Sequence, residues 1–186
     1  MPEPTILLVP GLRDAVAEHW QTLLEAQAPR VRSVPPMGRT DLDCAARCTA
    51  IERAAQAIEG PVVIVAHSGG CITVAHWAQS SRRRVHGALL ATPPDFDTAM
   101  PAGYPTLAQL AAAGWLPVPR TRLPFRSIVA ASRNDPLGSF DRVAALARDW
   151  GSEFADLGEV GHLNPASGYG PWPAAHDFIA RLAAAH

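Results

Sequence analysis

Short runs of aliphatic residues alternate along this chain with longer amphipathic stretches. Such runs are typical of strands buried on both faces of a parallel sheet, and the amphipathic stretches are typical of the helices that cover it. The runs predict strands over residues 5–9, 31–34, 61–65, 86–91, 127–131 and 153–157. The stretches predict a helix with its apolar face at Ala17, Trp20, Leu23 and Leu24, and helices over residues 42–58 (with Asp41 as N-cap), 71–78, 106–113, 140–150 and 174–185. The pattern therefore predicts an α/β fold with a mostly parallel sheet and helices on both faces.

The length of the chain is that of one domain with a sizeable core. Its 186 residues contain no internal repeat and no linker, so we expect a single domain over residues 1–186. Residues 92–124 hold seven of the 18 prolines and are irregular in pattern. They follow the C-terminal end of a predicted strand, which is the side on which α/β sheets bind ligands. We expect this stretch to border a site, because long loops in compact domains are usually functional.

The segment over residues 61–78 carries the strongest functional signal. Ser68 stands between a buried strand and a helix, with Ala66 two positions before it and Gly70 two positions after it. This is the arrangement of a nucleophile elbow, a sharp turn at which strand and helix backbones approach so closely that only small residues fit. The motif normally has Gly at both positions, so Ala66 is a small departure. A simpler interpretation makes Ser68 an ordinary helix N-cap.

A nucleophilic serine needs a base, and the base needs an acid that orients it. His162 is the candidate base, because it follows the last predicted strand directly after Gly161. Asp135 is the candidate acid, because it follows the strand over residues 127–131, although it also suits an Asx turn. Asp95, which follows the preceding strand, is the rival acid. The order serine, aspartate, histidine is the one used by hydrolases with a nucleophile elbow.

A tetrahedral oxyanion requires two main-chain N–H donors. One candidate is the amide of Gly69, at the start of the helix after the serine. The other is the amide of Leu12, in the loop that follows the first strand. These two amides complete a predicted oxyanion hole.

Bulky residues near these loops are candidates for the wall of a substrate pocket. Trp115 and Leu116 lie in the proline-rich stretch and are the first choice. Tyr169 and Trp172 either support the loop of His162 or line the pocket.

Charge gives no reason to expect a polyanionic partner. The formal net charge is −1, so neither nucleic acid nor an anionic membrane is favoured. The run Arg82-Arg83-Arg84 could bind phosphate, but it follows a predicted helix, where cations complement the helix dipole. The apolar runs are too short to span a membrane.

The N-terminus and the cysteines favour a reducing compartment. Residues 1–4 lack the basic and apolar regions of a signal peptide. Cys44 and Cys48 have no second Cys or His pair nearby, so a metal site is not expected, and we interpret them as small core residues. A cytoplasmic location is the default expectation.

Several motifs, taken together, resemble one known family. The chain is similar to the small α/β hydrolases that include retinoblastoma-binding protein nine and its bacterial relatives, with the bacterial branch the better match. The motifs are Pro10-Gly11, His19-Trp20-Gln21, His67-Ser68-Gly69-Gly70, Ser132-Arg133-Asn134-Asp135-Pro136 and the tail from Gly161 to Pro173. The resemblance implies a minimal α/β-hydrolase fold without a cap domain, and a serine hydrolase that uses no cofactor.

The predicted substrate is a small acyl compound: an ester, a thioester or an amide. The alternative is a protein-interaction module on a hydrolase fold, although the sequence shows no motif for binding a protein partner. A dehalogenase is excluded, because it would need a carboxylate nucleophile where Ser68 stands.

Overall fold

The computed structural model describes residues 3–13, 16–38 and 40–184. Six parallel strands form one sheet in the order β2-β1-β3-β4-β5-β6. The strands are β1 (Thr5–Val9), β2 (Val31–Ser33), β3 (Val62–His67), β4 (Gly87–Ala91), β5 (Ser127–Ala131) and β6 (Glu153–Asp156). Because all of them run the same way, their C-terminal ends share one edge of the sheet.

Helices cover both faces of the sheet. They are α1 (Trp20–Gln27), α2 (Cys44–Gln56), α3 (Gly69–Ala78), α4 (Leu107–Ala112), α5 (Phe140–Trp150) and α6 (Ala174–Ala183), with a short 3₁₀ helix at Pro165–Ser167. The predicted α/β class is therefore confirmed, and no cap domain is inserted within the described ranges. None of these helices is long and apolar enough to cross a membrane.

Two apolar clusters hold the layers together, one on each face of the sheet. Alternate residues of β3 divide between them: Val62 and Ile64 belong to the cluster with α2, α3 and α5, while Val63 belongs to the cluster with α1 and α6. All six residues of β3 are buried. This is why the strand appears in the sequence as a continuous apolar run.

The ends of most elements differ from the predictions by one or two residues, whereas β1, β5 and α5 match. Ala17 is exposed and lies before α1, which begins at Trp20. Asp41 was the wrong N-cap for α2: the carboxylate of Asp43 accepts the N–H of Ala46 at 3.0 Å, whereas Asp41 accepts the N–H of Asp43. Asp41 and Asp43 both carry a side chain suited to an N-cap, so the sequence alone does not show which of them caps α2. The predicted end of α6 at residue 185 lies outside the described residues.

One arginine of the run Arg82-Arg83-Arg84 caps a different helix from the one predicted. Arg83 donates to the main-chain carbonyls of Ala55, Ile58 and Gly60, at the C-terminal end of α2. The dipole argument therefore holds, but for α2 rather than for α3. A phosphate site on this run would compete with those contacts.

The start of α3 packs closely against the end of β1. A Cβ atom added at Gly70 would stand 2.6 Å from the carbonyl oxygen of Pro10 and 2.7 Å from that of Val9. Both obstacles are backbone atoms, which cannot rotate away. Glycine is therefore required at this position by space alone.

Gly70→Ala is expected to lower the free energy of unfolding by about 1–3 kcal/mol, because overpacking forces the backbone to shift. Urea denaturation measures the change. Gly170→Ala is the matched control, since its added Cβ would meet the carbonyl of Glu18 at an ordinary 3.4 Å. Equal stability of the two variants would contradict the packing account.

Candidate active site

Ser68 lies at the sharp turn between β3 and α3. Its backbone has φ 55° and ψ −132°, a conformation that residues with a side chain rarely adopt. The hydroxyl makes no capping hydrogen bond to α3. The simpler interpretation of Ser68 as an N-cap through its side chain is therefore not supported. Its Oγ points instead toward a histidine.

Ser68, His162 and Asp135 form a continuous hydrogen-bonded chain. The Oγ of Ser68 lies 2.7 Å from Nε2 of His162, and Nδ1 of His162 lies 3.0 and 2.9 Å from the two carboxylate oxygens of Asp135. The side chains of His162 and Asp135 are only 6% and 2% exposed. Asp135 also accepts the N–H of Leu137 at 2.9 Å, which is the Asx turn expected from the sequence. The turn and the contact with histidine coexist.

The rival acid, Asp95, is occupied elsewhere. It forms an ion pair with Arg142 and accepts the hydroxyl of Thr98 at 3.1 Å. No contact with His162 is found for it among the described residues. The structure therefore brings Asp135, and not Asp95, to the histidine.

Polar side chains tie the loop of Asp135 to the loop of His162. Asn134 accepts the N–H of Gly161 at 2.7 Å, and Ser132 accepts the N–H of Val160 at 3.2 Å. The hydroxyl of Ser132 donates to Asn134 at 2.9 Å. The acid and the base are thus connected by their neighbours as well as by their own contact.

The main chain around His162 is held by the 3₁₀ helix that follows it. The N–H of His162 donates to Oγ of Ser167 at 3.0 Å, and Ser167 donates in turn to Asn164 at 2.8 Å. A Cβ at Gly161 would stand 2.5 Å from that same Oγ, and its φ is +58°. Glycine is required there both by conformation and by space.

Two further histidines contact the site, and sequence reasoning did not assign them a role. Nε2 of His67 lies 2.9 Å from the carbonyl oxygen of His162, and its Nδ1 lies 3.2 Å from Nε2 of His19. Nδ1 of His19 accepts the N–H of Gln21 at 3.1 Å, which caps α1. The available signal was the position of His67 directly before the serine, together with the motif that starts at His19.

Burial disfavours the charged form of both histidines. Burial, followed by the charge that His162 can carry, lowers the pKa of His19 from 6.5 to about 4. Burial also lowers the pKa of His67 well below its usual value, with His162 and His19 as the next causes. Both rings are therefore neutral at pH 7.

The two predicted oxyanion donors lie beside the serine. A Cβ at Gly69 would meet the side chain of Leu12 at 2.7 Å, so these two residues are in direct contact. A Cβ at Gly11 would lie 3.5 Å from Oγ of Ser68. Neither the amide of Leu12 nor that of Gly69 donates to an acceptor within the part of the chain that the structure describes. As far as those residues show, both amides are available to a ligand.

A cavity of about 410 Å³ opens at Ser68. Its walls are largely apolar and come from the loop after β1, α1, the segment after β2, the start of the proline-rich stretch and the 3₁₀ helix. Representative lining residues are Leu12, Val34, Phe96, Met100, Tyr104 and Pro165. The proline-rich stretch borders the site, as expected.

The four residues chosen for the pocket wall do not line this cavity. Trp115 is fully buried, packs against Phe96 and donates its indole N–H to the carbonyl of Leu42. Leu116 packs against the same apolar cluster. Trp172 is buried against Trp20, with ring centroids 4.9 Å apart, and Tyr169 packs beside them. Large aromatics suit a core as well as a pocket, so the sequence could not separate the two.

The cysteines are free thiols. Cys44 and Cys71 are buried, and Cys48 is half-buried. Within the described residues, no group of three or more His, Cys, Asp or Glu side chains is arranged to hold a metal ion.

Comparison with known proteins gives a consistent result. A family model described as serine hydrolase matches residues 6–181. Among solved structures, a YdeN-like hydrolase from Pectobacterium atrosepticum is 29% identical, with a TM-score of 0.82 over 98% of this chain and 94% of that chain. The comparison with curated proteins found no match.

More distant structures share the fold. The ydeN gene product from B. subtilis is 15% identical, with a TM-score of 0.74 over 96% of this chain and 98% of that chain. A hydrolase of the alpha/beta superfamily from Xanthomonas campestris is 19% identical, with a TM-score of 0.62 over 98% of both chains.

The free energy of unfolding is expected to fall as the pH drops from about 6.5 toward 4. In that window the unfolded chain protonates His19 and His67, whereas the folded chain keeps them neutral, so protons favour unfolding. His19→Gln removes one of these groups and should flatten the slope by up to about 1.4 kcal/mol per pH unit. Urea denaturation at a series of pH values measures it. His176→Gln, at an exposed position on α6, is the control, and a His19→Gln slope equal to that of wild type would contradict the account.

Proposed function

The chain belongs to the serine hydrolase family, and from this premise we propose that it cleaves small carboxylic esters through an acyl-enzyme on Ser68. Thioesters and amides are the related substrates that the same chemistry could reach. The observation that carries the proposal is the unbroken chain from Oγ of Ser68 through His162 to Asp135. This arrangement supplies a nucleophile, its base and the group that orients the base.

Acylation begins with proton transfer from Ser68 to His162. The Oγ–H of Ser68 donates to Nε2 of His162 at 2.7 Å, so Nε2 is the atom that takes the proton as Oγ attacks the acyl carbon. The Nδ1–H of His162 donates to Asp135, which selects the tautomer with Nε2 free and stabilises the imidazolium that forms. His162 then returns the proton to the leaving oxygen.

Deacylation reverses the same transfers with water as the nucleophile. Water loses a proton to Nε2 of His162 and attacks the acyl carbon, and Oγ of Ser68 leaves with that proton. Esters are favoured over amides because resonance with nitrogen makes the amide carbonyl less electrophilic, and because an alkoxide is a better leaving group than an amide anion.

The negative oxygen of the tetrahedral intermediate would accept two main-chain hydrogen bonds. The amides of Gly69 and Leu12 adjoin the serine and have no internal acceptor among the described residues. Gly69 also opens α3, where the helix dipole favours a negative charge.

A fluorophosphonate probe is expected to label the wild-type protein on Ser68. Ser68→Ala should abolish labelling, and His162→Ala should slow it strongly, because Oγ loses its base. Ser80→Ala, at an exposed serine after α3, is the matched control and should label like wild type. Intact-protein mass spectrometry reads the result. Labelling of Ser68→Ala at the wild-type level would refute the assignment of the nucleophile.

The two aspartates provide a second, independent test. Asp135→Asn is expected to lower kcat for a nitrophenyl ester by about 10³- to 10⁴-fold, because the amide favours the wrong tautomer of His162. Asp95→Asn should leave kcat near the wild-type value and lower stability instead, since it removes the closer carboxylate of Arg142 and leaves only the longer contact to Asp97 at 3.4 Å. If Asp95→Asn lost activity and Asp135→Asn kept it, the acid would have been misassigned.

A further inference from the structure

We propose that His67 and His19 are positioning residues, which hold the main chain of His162 at the distance that Ser68 requires. The proposal rests on the function proposed above, in which His162 is the base. Its basis is a row of three hydrogen bonds that runs from the start of α1 to the carbonyl oxygen of His162.

The two ends of this row fix every proton in it. The main-chain N–H of Gln21 can only donate, so Nδ1 of His19 must be the acceptor. His19 then carries its proton on Nε2 and donates to Nδ1 of His67. His67 in turn carries its proton on Nε2 and donates to the carbonyl oxygen of His162 at 2.9 Å. Each ring is therefore a neutral Nε2–H tautomer.

The row connects the nucleophile and the base by a short route. His67 is the residue directly before Ser68, so the strand end that carries Oγ also carries the donor to His162. Through the chain these residues are far apart, with β4, β5 and β6 between them. The contact between His67 and the carbonyl therefore helps to set the spacing between the end of β3 and the loop of His162.

The carbonyl contact completes the restraint of His162. Its N–H is held by Ser167 at 3.0 Å, and its ring is held by Asp135. Without the bond from His67, the carbonyl oxygen of His162 would keep, among the described residues, only the hydroxyl of Thr92 at 3.5 Å, while the N–H of the same peptide, on Leu163, would still donate to Val160 at 3.1 Å. The distance to Thr92 is too long for a strong hydrogen bond.

The far end of the row is anchored on the sheet. The side-chain amide of Gln21 donates to the carbonyls of Val9 and Val65, at 3.1 and 3.0 Å. Trp20 packs against the ring of His67, with centroids 5.9 Å apart. His19 is thus held on both sides, and it limits the rotation of His67.

The row also keeps positive charge away from the base. The ring centroids of His67 and His162 are 5.1 Å apart. A second proton on His67 would place two N–H groups against each other at His19 and would repel the imidazolium that forms on His162. The burial of His67, which is 5% exposed, keeps it neutral.

Two amide variants separate positioning from simple core packing. In His67→Asn the amide reaches only the place of Nδ1, so the donor to His162 is lost. In His67→Gln the amide nitrogen reaches the place of Nε2 and can still donate.

His67→Asn is expected to lower kcat about 10- to 100-fold with KM unchanged, because the base is misplaced. His67→Gln should recover most of that loss. Equal losses in both variants, wild-type kcat in His67→Asn, or a change confined to KM would overturn the proposal.

His19→Asn serves as the second variant in case His67→Asn does not fold. Its Oδ1 can still cap α1 in place of Nδ1, but the donor to His67 is gone. A fall in kcat without a change in KM is expected again, though a smaller one, since His67 keeps its bond to His162. A wild-type kcat would show that the link to His19 contributes nothing.

A tautomer measurement tests the row without any assay of activity. Nitrogen-15 NMR of the imidazoles in the wild-type protein at pH 7 should show neutral Nε2–H rings for both His19 and His67. Protonated rings or Nδ1–H tautomers would overturn the proposal. Failure of the proposed function would look different: wild type would not react with the fluorophosphonate, while the tautomers would remain as stated.

Discussion

Gly70 packs against the carbonyl oxygens of Val9 and Pro10 at distances that leave no room for a side chain. The contact places the first turn of α3 on the loop after β1, and the chain turns between β3 and α3 at Ser68, whose φ is +55°. Gly69 follows the serine directly and packs against Leu12 of that loop. One close approach between backbones thus shapes the serine turn and the candidate oxyanion hole together.

Two other loops meet at this edge, and polar contacts to backbone atoms set their spacing. Asn134 links the loop of Asp135 to Gly161, Ser167 holds the N–H of His162, and His67 holds its carbonyl. Such contacts are directional, whereas apolar packing tolerates small shifts. The edge of the sheet therefore has a rigid frame around a largely apolar cavity.

Much of the fold could be predicted from the chain, because each strand of this parallel sheet is a continuous apolar run and the turns contain Gly or Pro. β1, β5 and α5 begin and end where the pattern places them. The sequence also predicted that Ser68, His162 and Asp135 would lie together. Each of them follows a strand, and the C-terminal ends of parallel strands share one edge of the sheet. Their catalytic roles remain a proposal.

The contacts of Trp115, Arg83 and His67 could not be predicted, because the sequence does not show in which direction a side chain points. Trp115 stands in the stretch that borders the cavity, yet its indole turns into the core to reach the carbonyl of Leu42. Arg83 follows α3 but reaches the end of α2. The role of His67 follows from its contact with the carbonyl of His162, which is distant in the chain and which the sequence does not show.

A crystal structure of the protein with a phosphonate bound covalently would test the central claim most directly. The account predicts phosphorus on Oγ of Ser68, with the phosphoryl oxygen about 2.7–3.1 Å from the amide nitrogens of both Gly69 and Leu12. Phosphorus on another residue, or a phosphoryl oxygen that faces away from these two amides, would contradict it.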